Sequence, residues 1–498
     1  PSEFQSEQAL TTFFERIVPR ASIKSVYVCK DVADLEQLAE LLERASYNLK
    51  IAESKWRHAD KAPDSVPMLR DPILGSQIEA IPFWKAQQVE LAKLIKSSKD
   101  LIEQCSPGSV NTSCGFVTFS DRTSAAIAVR LSGHIDSNMD LWKVDNAPEP
   151  EDILWTGFRQ DAVVDQAKND VGGILLAALF LFCLPTTIGI TNISSLVNFD
   201  SHAHYFLHCV WAEIAPTVGL QLLVGSLPAL LSFIFQGFFM MKSSAGLQLK
   251  IQVWYFWFQV GLVLVATALG QNFRLLLRSL ALEPLTLLRV LMETMDFAKH
   301  FFMNFLVLQW LSFSIEVLRL TPLLRYRGAC SLLCEQDAKN FAEPEDQIFA
   351  GIGSRSSRLA IIMSIAIIFS TLSPTVAVLA CVSFALCRVI YGYLMCFAEA
   401  RKSDSGGVFW VTQLRHVFVA CMIYSVLMTA ALLHHGGFRG PWILAAPSIL
   451  WAIASKARFE KYRWESLPIL ELAQGGPQMT RPSKGQYVQP ELLMKPDF

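Results

Sequence analysis

The residue best placed to do chemistry is Glu316, a carboxylate inside the apolar run Phe297 to Leu320, FAKHFFMNFLVLQWLSFSIEVLRL. The run is long enough to cross a bilayer, and Glu316 lies toward one of its ends. An ionisable group in hydrocarbon costs about 2.5–3.5 kcal/mol at mid-depth and less near an interface. Such groups usually face a water-filled cavity or a polar partner, so Glu316 points to a route for ions or polar solutes. The bland alternative is a pair with Arg319, one helical turn on. Uncharged polar residues recur in the neighbouring apolar stretches: Thr186, Thr187, Gln221, Gln259, Thr267, Asn304, Gln309 and Ser364, with a further carboxylate at Glu213. For any one of them the plain reading is a hydrogen bond between helices, worth about 0.6 kcal/mol. Together with Glu316 they outline a polar path.

These side chains need spans to hold them. The 498 residues are 52% hydrophobic and 17% charged, well below the charge of an ordinary soluble chain. The charge is uneven. Residues 1–165 hold 18 Lys+Arg and 25 Asp+Glu, and the remainder holds 25 and 19. The first part reads as an acidic soluble domain, and 166–464 as a polytopic membrane domain with basic loops. Eight candidate spans fall near 170–192, 208–239, 252–273, 297–320, 358–374, 376–397, 411–434 and 441–456. The second is long and contains Pro216 and Pro228, which predicts a tilt or kink. Placing residues 1–165 in the cytosol puts Lys242, Lys250, Arg325, Arg327, Lys339, Arg355, Arg358, Arg401, Lys402 and Arg415 in inner loops. Outer loops then carry Arg274, Arg278, Arg289 and Arg439, so the positive-inside rule favours this orientation. Arg388 is a second charge within a span. Residues 465–498, with GGP, RPSKG and QPE, read as a disordered cytosolic tail.

The acidic part reads as α/β. A strand at Val26–Cys29 precedes a helix from Val32 to Glu53, and Ile78–Glu103 is a second amphipathic helix. Cys114–Phe119 is a strand, Ser120–Leu131 a turn and helix, and Leu141–Val144 a closing strand. Gly115-Phe116-Val117-Thr118-Phe119 is similar to the RNA-recognition-motif strand, whose aromatics stack on bases. A net charge of −7 over residues 1–165 opposes phosphate binding, so the segment reads as a strand of a ferredoxin-like scaffold and no nucleic-acid partner is expected.

Other chemistry is weakly supported. Asp200, His202, His204 and His208 read as a polar interfacial loop rather than a metal site. Cys330 and Cys334 lack companions for zinc, and the 11 cysteines form no secreted disulfide pattern. Asn192-Ile193-Ser194 is a formal glycosylation sequon at a span end. No Walker, G-x-S-x-G or H-E-x-x-H motif occurs, so the sequence gives no basis for an enzyme or a cofactor.

Several segments resemble one family, the osmosensitive, hyperosmolality-gated calcium-permeable cation channels. Ala147-Pro-Glu-Pro-Glu-Asp-Ile-Leu-Trp155 resembles their APEP…W signature, and Phe116–Ala128 their F-V-x-F…A-A strand and helix. Glu316–Leu324 is similar to their E-x-L-R-L-x-P-L segment, Phe301-Phe302 to their aromatic pair, and Ser405–Trp410 to the stretch before a late span. The family's glycine before the glutamate is replaced here by Gln309-Trp310-Leu311-Ser312, and a commonly polar position falls near Leu262. The resemblance implies an anoctamin-like helical membrane fold with a cytosolic ferredoxin-like domain, here 1–165. It implies a mechanically gated, non-selective cation channel passing Ca, K and Na, with Glu316, Gln309, Asn304, Gln259, Gln221, Glu213 and Ser364 along the ion path. A lipid scramblase using the same groove is the alternative. Membrane lipids are expected partners, and both homodimers and monomers occur in the family. A first strand and three earlier spans are expected upstream of Pro1.

Overall fold

The split in charge along the chain is also a split in structure. The computed structural model describes residues 5–58, 66–70, 77–105, 110–131, 144–158, 162–191, 205–266, 284–331, 333, 335–342, 351–400, 402, 405–436, 440–462 and 486–494. One unit comprises Pro1–Gln160, Leu320–Glu345 and Ser466–Phe498, and the other Asp161–Arg319 and Asp346–Glu465.

In the first unit, α1 (Glu7–Glu15) leads into β1 (Ile23–Lys30) and α2 (Ala33–His58). Short strands β2 (Met68–Arg70) and β3 (Gln77–Glu79) pair with each other ahead of α3 (Ala80–Gln104). Then come β4 (Asn111–Phe119) and α4 (Arg122–Leu131). β1 and β4 are antiparallel, with Tyr27 opposite Phe116 and Val26 opposite Val117. Strand alternation sends Val26, Val28, Val117 and Phe119 to one face, where they pack with Leu10 and Phe14 of α1 and Ala128 of α4. α1 starts cleanly because the Ser6 hydroxyl accepts from the Ala9 amide at 3.1 Å. Gly115 permits the close approach of α1, since a Cβ there would meet Leu10 Cδ1 at 2.7 Å and the Tyr27 carbonyl oxygen at 2.9 Å.

α2 and α3 pair through Val32, Leu35 and Ile95, with Gln88 donating to Ser46 Oγ at 2.9 Å. The helices Leu320–Cys330 and Glu335–Ala342 join this unit from far along the chain. Ala329, Leu333 and Ala338 pack with Ile51 of α2, and Phe341 lies 5.7 Å from the Tyr47 ring.

The expected sheet is present only in part. Among the described residues β1 pairs with β4 alone, so the four-stranded ferredoxin-like sheet is not seen whole. Leu141–Lys143 of the expected closing strand lie outside the described residues, and Val144 packs against the α1 face without being in a strand. Within the tail, residues 486–494 are described: Tyr487 stacks on Phe116, Gln489 bonds with Lys30, and Leu492 packs with Val32, Leu35 and Ile95.

The second unit is helical: α5 (Ala162–Thr191), α6 (Tyr205–Phe238), α7 (Ser244–Gln259), α8 (Pro284–Val317), α9 (Ile352–Phe369), α10 (Pro374–Tyr393), α11 (Val408–Gly436), α12 (Trp442–Ala445) and α13 (Pro447–Lys461). α7 continues as a π-helix over Val260–Ala266, and α10 as one over Leu394–Ala398. Six stretches of the described helices are long and apolar enough to cross a membrane. They correspond to six of the eight expected spans. α7 with its π-helix falls on the third, and Thr267 lies outside the described residues. The eighth is divided into α12 and α13 at Pro447, which has no N–H to donate. α6 runs unbroken through Pro216 and Pro228.

The core of this unit is a wall of large side chains, with Tyr255, Phe256, Phe302, Phe305 and Phe313 fully buried. Polar groups stitch the helices where the backbones come closest. Gly353 lets α9 touch α7, since a Cβ there would lie 2.0 Å from the Gln248 carbonyl oxygen. Its amide donates to Gln248 Oε1 at 3.2 Å. Gln252 donates to Ser356 Oγ at 2.7 Å and to the Phe409 carbonyl at 3.1 Å, and Ser357 donates to the Gln252 carbonyl at 2.6 Å. A buried polar group left without a partner costs about 1–3 kcal/mol, so these matched contacts help to hold the helices together.

Candidate functional site: buried charges and amides among the apolar helices

Four charged side chains meet where α8, α9 and the end of the α10 π-helix come together. Glu316 is the penultimate residue of α8. Its Oε1 pairs with Arg358 Nη2, and its Oε2 lies 3.5 Å from Arg355 Nε. Arg355 is only 3% exposed. Its Nη1 donates to Glu399 Oε2 at 3.0 Å, and its Nη2 lies 2.7 Å from Glu399 Oε1. Arg358 also donates to Ser312 Oγ at 3.4 Å and to the Tyr391 hydroxyl at 3.3 Å. The Arg355 guanidinium sits 5.0 Å from the centre of the Tyr391 ring. Two acids and two bases therefore balance in formal charge. Glu316 Oε1 is taken by Arg358, while Oε2 faces Arg355 Nε at 3.5 Å without a hydrogen bond.

Arg355 and Arg358 are the residues that the sequence reading misplaces. Their run, Gly353-Ser-Arg-Ser-Ser-Arg358, reads as a polar inner loop. It instead forms the first turns of α9, because its small residues let this helix end pack tightly against α7. Two arginines three apart share a helix face, and that spacing is the signal the sequence did carry. Glu399, just past the π-helix, had no comparable signal. Arg319 adopts a left-handed φ of 47° between α8 and the helix that follows, and its amide donates to the Glu316 carbonyl at 3.2 Å.

A second polar group lies in the core. Gln309 of α8 is 1% exposed and donates to Gln221 Oε1 of α6 at 2.9 Å. Gln259, at the last α-helical turn before the π-helix, is fully buried. It lies beside Tyr255, yet its amide meets no partner in hydrogen-bonding geometry. Ser364 is buried and donates to the Ala360 carbonyl of its own helix at 2.7 Å. Asn304 is half-buried on α8. Glu213 is on α6, and its side chain lies outside the described residues, as do those of the Asp200, His202, His204 and His208 cluster. The structure thus joins Gln221 to Gln309 and gives Glu316 partners from α9. It leaves Ser364 satisfied within its own helix. Among the described residues no group of three or more His, Cys, Asp or Glu could hold a metal ion.

Long apolar helices with compensated charges in their interior define an integral membrane protein, attached in sequence to a separate α/β unit. Residues 171–432 match the family model described as "Calcium-dependent channel, 7TM region, putative phosphate". Residues 1–156 match "Cytosolic domain of 10TM putative phosphate transporter". The chain belongs to this family, that of the hyperosmolality-gated, calcium-permeable and CSC1-like channels. It is 22% identical over 475 residues to the Saccharomyces cerevisiae protein RSN1, covering 86% of this chain and 48% of that protein. It is 27% identical over 358 residues to Arabidopsis thaliana hyperosmolality-gated Ca2+ permeable channel 2.3, covering 68% and 47%. Identity to the Schizosaccharomyces pombe calcium permeable stress-gated cation channel 1 is 23%, over 81% of this chain and 49% of that protein. The chain spans about half the length of these relatives.

Proposed function

We propose that the protein is a calcium-permeable cation channel opened by membrane tension or osmotic stress. The names of its relatives support the cation and the stimulus. The observation that carries the reading is Glu316, a carboxylate in an apolar helix held by guanidinium groups of a neighbouring helix. A carboxylate bonded to Arg358 through one oxygen, with the Arg355 guanidinium 3.5 Å from the other, has its charge offset and attracts a passing cation weakly. The conformer described here is therefore a resting one, in which α9 neutralises the acid. Separation of α8 from α9 frees Glu316 to attract cations. Tension favours whichever conformer has the larger in-plane area, so such a separation is what stretch would populate.

Gln221, Gln309, Gln259 and Asn304 extend the polar route away from this cluster, and Ser364 and Glu213 belong to the same proposed path. The α/β unit is read as a ferredoxin-like cytosolic domain. Support comes from α1 and α4 packing on one face of the antiparallel β1–β4 pair, as two helices do in that scaffold. Patch recording of the reconstituted protein under graded pressure tests the channel. Assaying the same liposomes for lipid exchange tests the scramblase alternative. Currents absent at every pressure, with the protein folded and inserted, would exclude the channel.

A further inference from the structure

The face of β1–β4 turned away from α1 carries Tyr27, Cys29, Cys114 and Phe116. In a nucleic-acid-binding sheet such a face is open. Here Trp155 and Phe158 stand edge-on to the Phe116 ring, at 5.6 and 5.5 Å. Its remaining side is taken by Tyr487, from the far end of the chain, stacked at 5.0 Å and 19°. The Tyr487 hydroxyl donates to the Pro148 carbonyl at 2.9 Å.

Two residues on, Gln489 is 1% exposed and fully matched. Its Oε1 accepts from the Tyr27 hydroxyl at 2.9 Å and from the Lys30 amide at 3.1 Å. Its Nε2 donates to the Lys30 carbonyl at 2.8 Å. One primary amide thus pairs with both backbone groups of Lys30, as a neighbouring strand would. The segment then turns, with the Leu492 amide donating to the Gln489 carbonyl at 3.1 Å. Leu492 packs against the Val32, Leu35 and Ile95 cluster of α2 and α3. Lys99 of α3 donates to the Leu492 carbonyl at 3.1 Å and to that of Met494. An aromatic slot, an amide slot and an apolar slot, closed by a lysine that reads backbone carbonyls, make a peptide site with side-chain and main-chain readout.

We infer that this face is a peptide-recognition site whose ligand is the chain's own Tyr487–Met494 segment, bound in cis. The ligand chemistry is a Tyr-x-Gln-Pro-x-Leu sequence. The Phe116 ring that resembles a base-stacking platform is a tyrosine platform instead. Tethering supplies an effective ligand concentration on the order of millimolar, so a modest intrinsic affinity keeps the site filled.

The test uses the full chain and a chain ending at Ser483, both in detergent, with a fluorescent peptide spanning residues 484–498 as the probe. The shortened chain should bind the peptide saturably, at about 10–100 µM given the tether. The intact chain should bind it at least about tenfold more weakly, because its own segment competes. A Gln489→Ala peptide should lose about tenfold or more. In the intact chain, Gln489→Ala should speed hydrogen exchange at the Lys30 amide about tenfold or more while Val26 and Val117 stay protected. Equal binding by intact and shortened chains overturns the proposal, as does unchanged Lys30 exchange. Single-stranded RNA that displaces the peptide from the shortened chain would make the face a nucleic-acid site and overturn it too. If the shortened chain does not fold, the Lys30 exchange measurement alone decides.

Discussion

Glu316 and Arg358 lie 42 residues apart in sequence and meet side chain to side chain between α8 and α9. Arg355 approaches the other carboxylate oxygen and hands the charge on to Glu399. Neither arginine can be removed without leaving an acid inside the helical unit with too few partners. Removing one partner of a buried pair costs about 3–5 kcal/mol, whereas removing both costs much less.

That asymmetry gives the first prediction. Arg358→Gln should sharply lower the yield of folded protein, and Glu316→Gln together with Arg358→Gln should recover much of it, with a coupling of about 0.5–3 kcal/mol. Thermal unfolding of the four proteins in detergent measures the cycle. On the proposed function, Glu316→Gln alone also lowers cation conductance or calcium preference in well-folded channels. Unaltered conductance and selectivity in that variant would remove Glu316 from the ion path.

Gly353 and Gly392 separate close packing from open surface. A Cβ at Gly353 would sit 2.0 Å from the backbone of α7, while at Gly392 it would meet nothing within 4 Å. Gly353→Ala should destabilise by at least about 1–3 kcal/mol, since backbone cannot yield as a side chain does. Gly392→Ala, on a helix with ordinary dihedrals, should be neutral or stabilise by about 0.4–1 kcal/mol. Equal melting temperatures for the two variants would show that α7 and α9 are less closely apposed than described.

The two core glutamines should respond in opposite directions. Gln309→Leu strands the Gln221 amide and should cost about 1–3 kcal/mol. Gln259→Leu removes an amide with no hydrogen-bond partner and should be neutral or stabilising by a similar about 1–3 kcal/mol. If Gln259→Leu raises the melting temperature and still reduces ion flux, its polarity serves the path rather than the fold. A lower melting temperature for Gln259→Leu would mean that the amide is matched after all.

The α/β unit should fail in alkali. Burial pushes the Cys29 thiol from 9.0 up to about 12, and the Tyr27 phenol from 10.0 up to about 12. Both values are raised on folding, so their contribution is whole below about pH 9. It is lost as pH climbs toward about 12, because the unfolded chain ionises first. Alkylation should accordingly reach exposed Cys105 at pH 8 and spare buried Cys29 until the unit opens. Mass spectrometry of the labelled chain reads both sites at once. Labelling of Cys29 at the rate of Cys105 would contradict the buried face.

Much of this molecule was legible in its residue order, and the gaps share a physical cause. Six of the spans follow from length and apolarity, and β4 from the β-forming run Phe116-Val117-Thr118-Phe119. Glu316 was conspicuous because it is a carboxylate within a long apolar run, with Arg319 the one cation a helical turn away. Its partners were hidden because Gly353–Arg358 is short and polar, and only the tight contact with α7 turns it into buried helix. The docking of residues 486–494 was hidden more deeply. Gln489 and Tyr27 are 462 positions apart, and no local pattern announces a contact of that separation.

The α/β unit is stitched from three stretches of chain: residues 5–158, 320–342 and 486–494. During synthesis the first stretch emerges long before the third. At about 5–20 residues per second the interval is tens of seconds. For that time Phe116 and Tyr27 wait without Tyr487 and Gln489, and for part of it α2 waits without Leu333 and Phe341. Assembly of this unit is therefore completed only after the apolar helices between residues 162 and 461 have been made. A premature stop before Tyr487, or a bulky fusion that holds Gln489 away from Lys30, would leave the apolar helices made and the α/β unit unfinished.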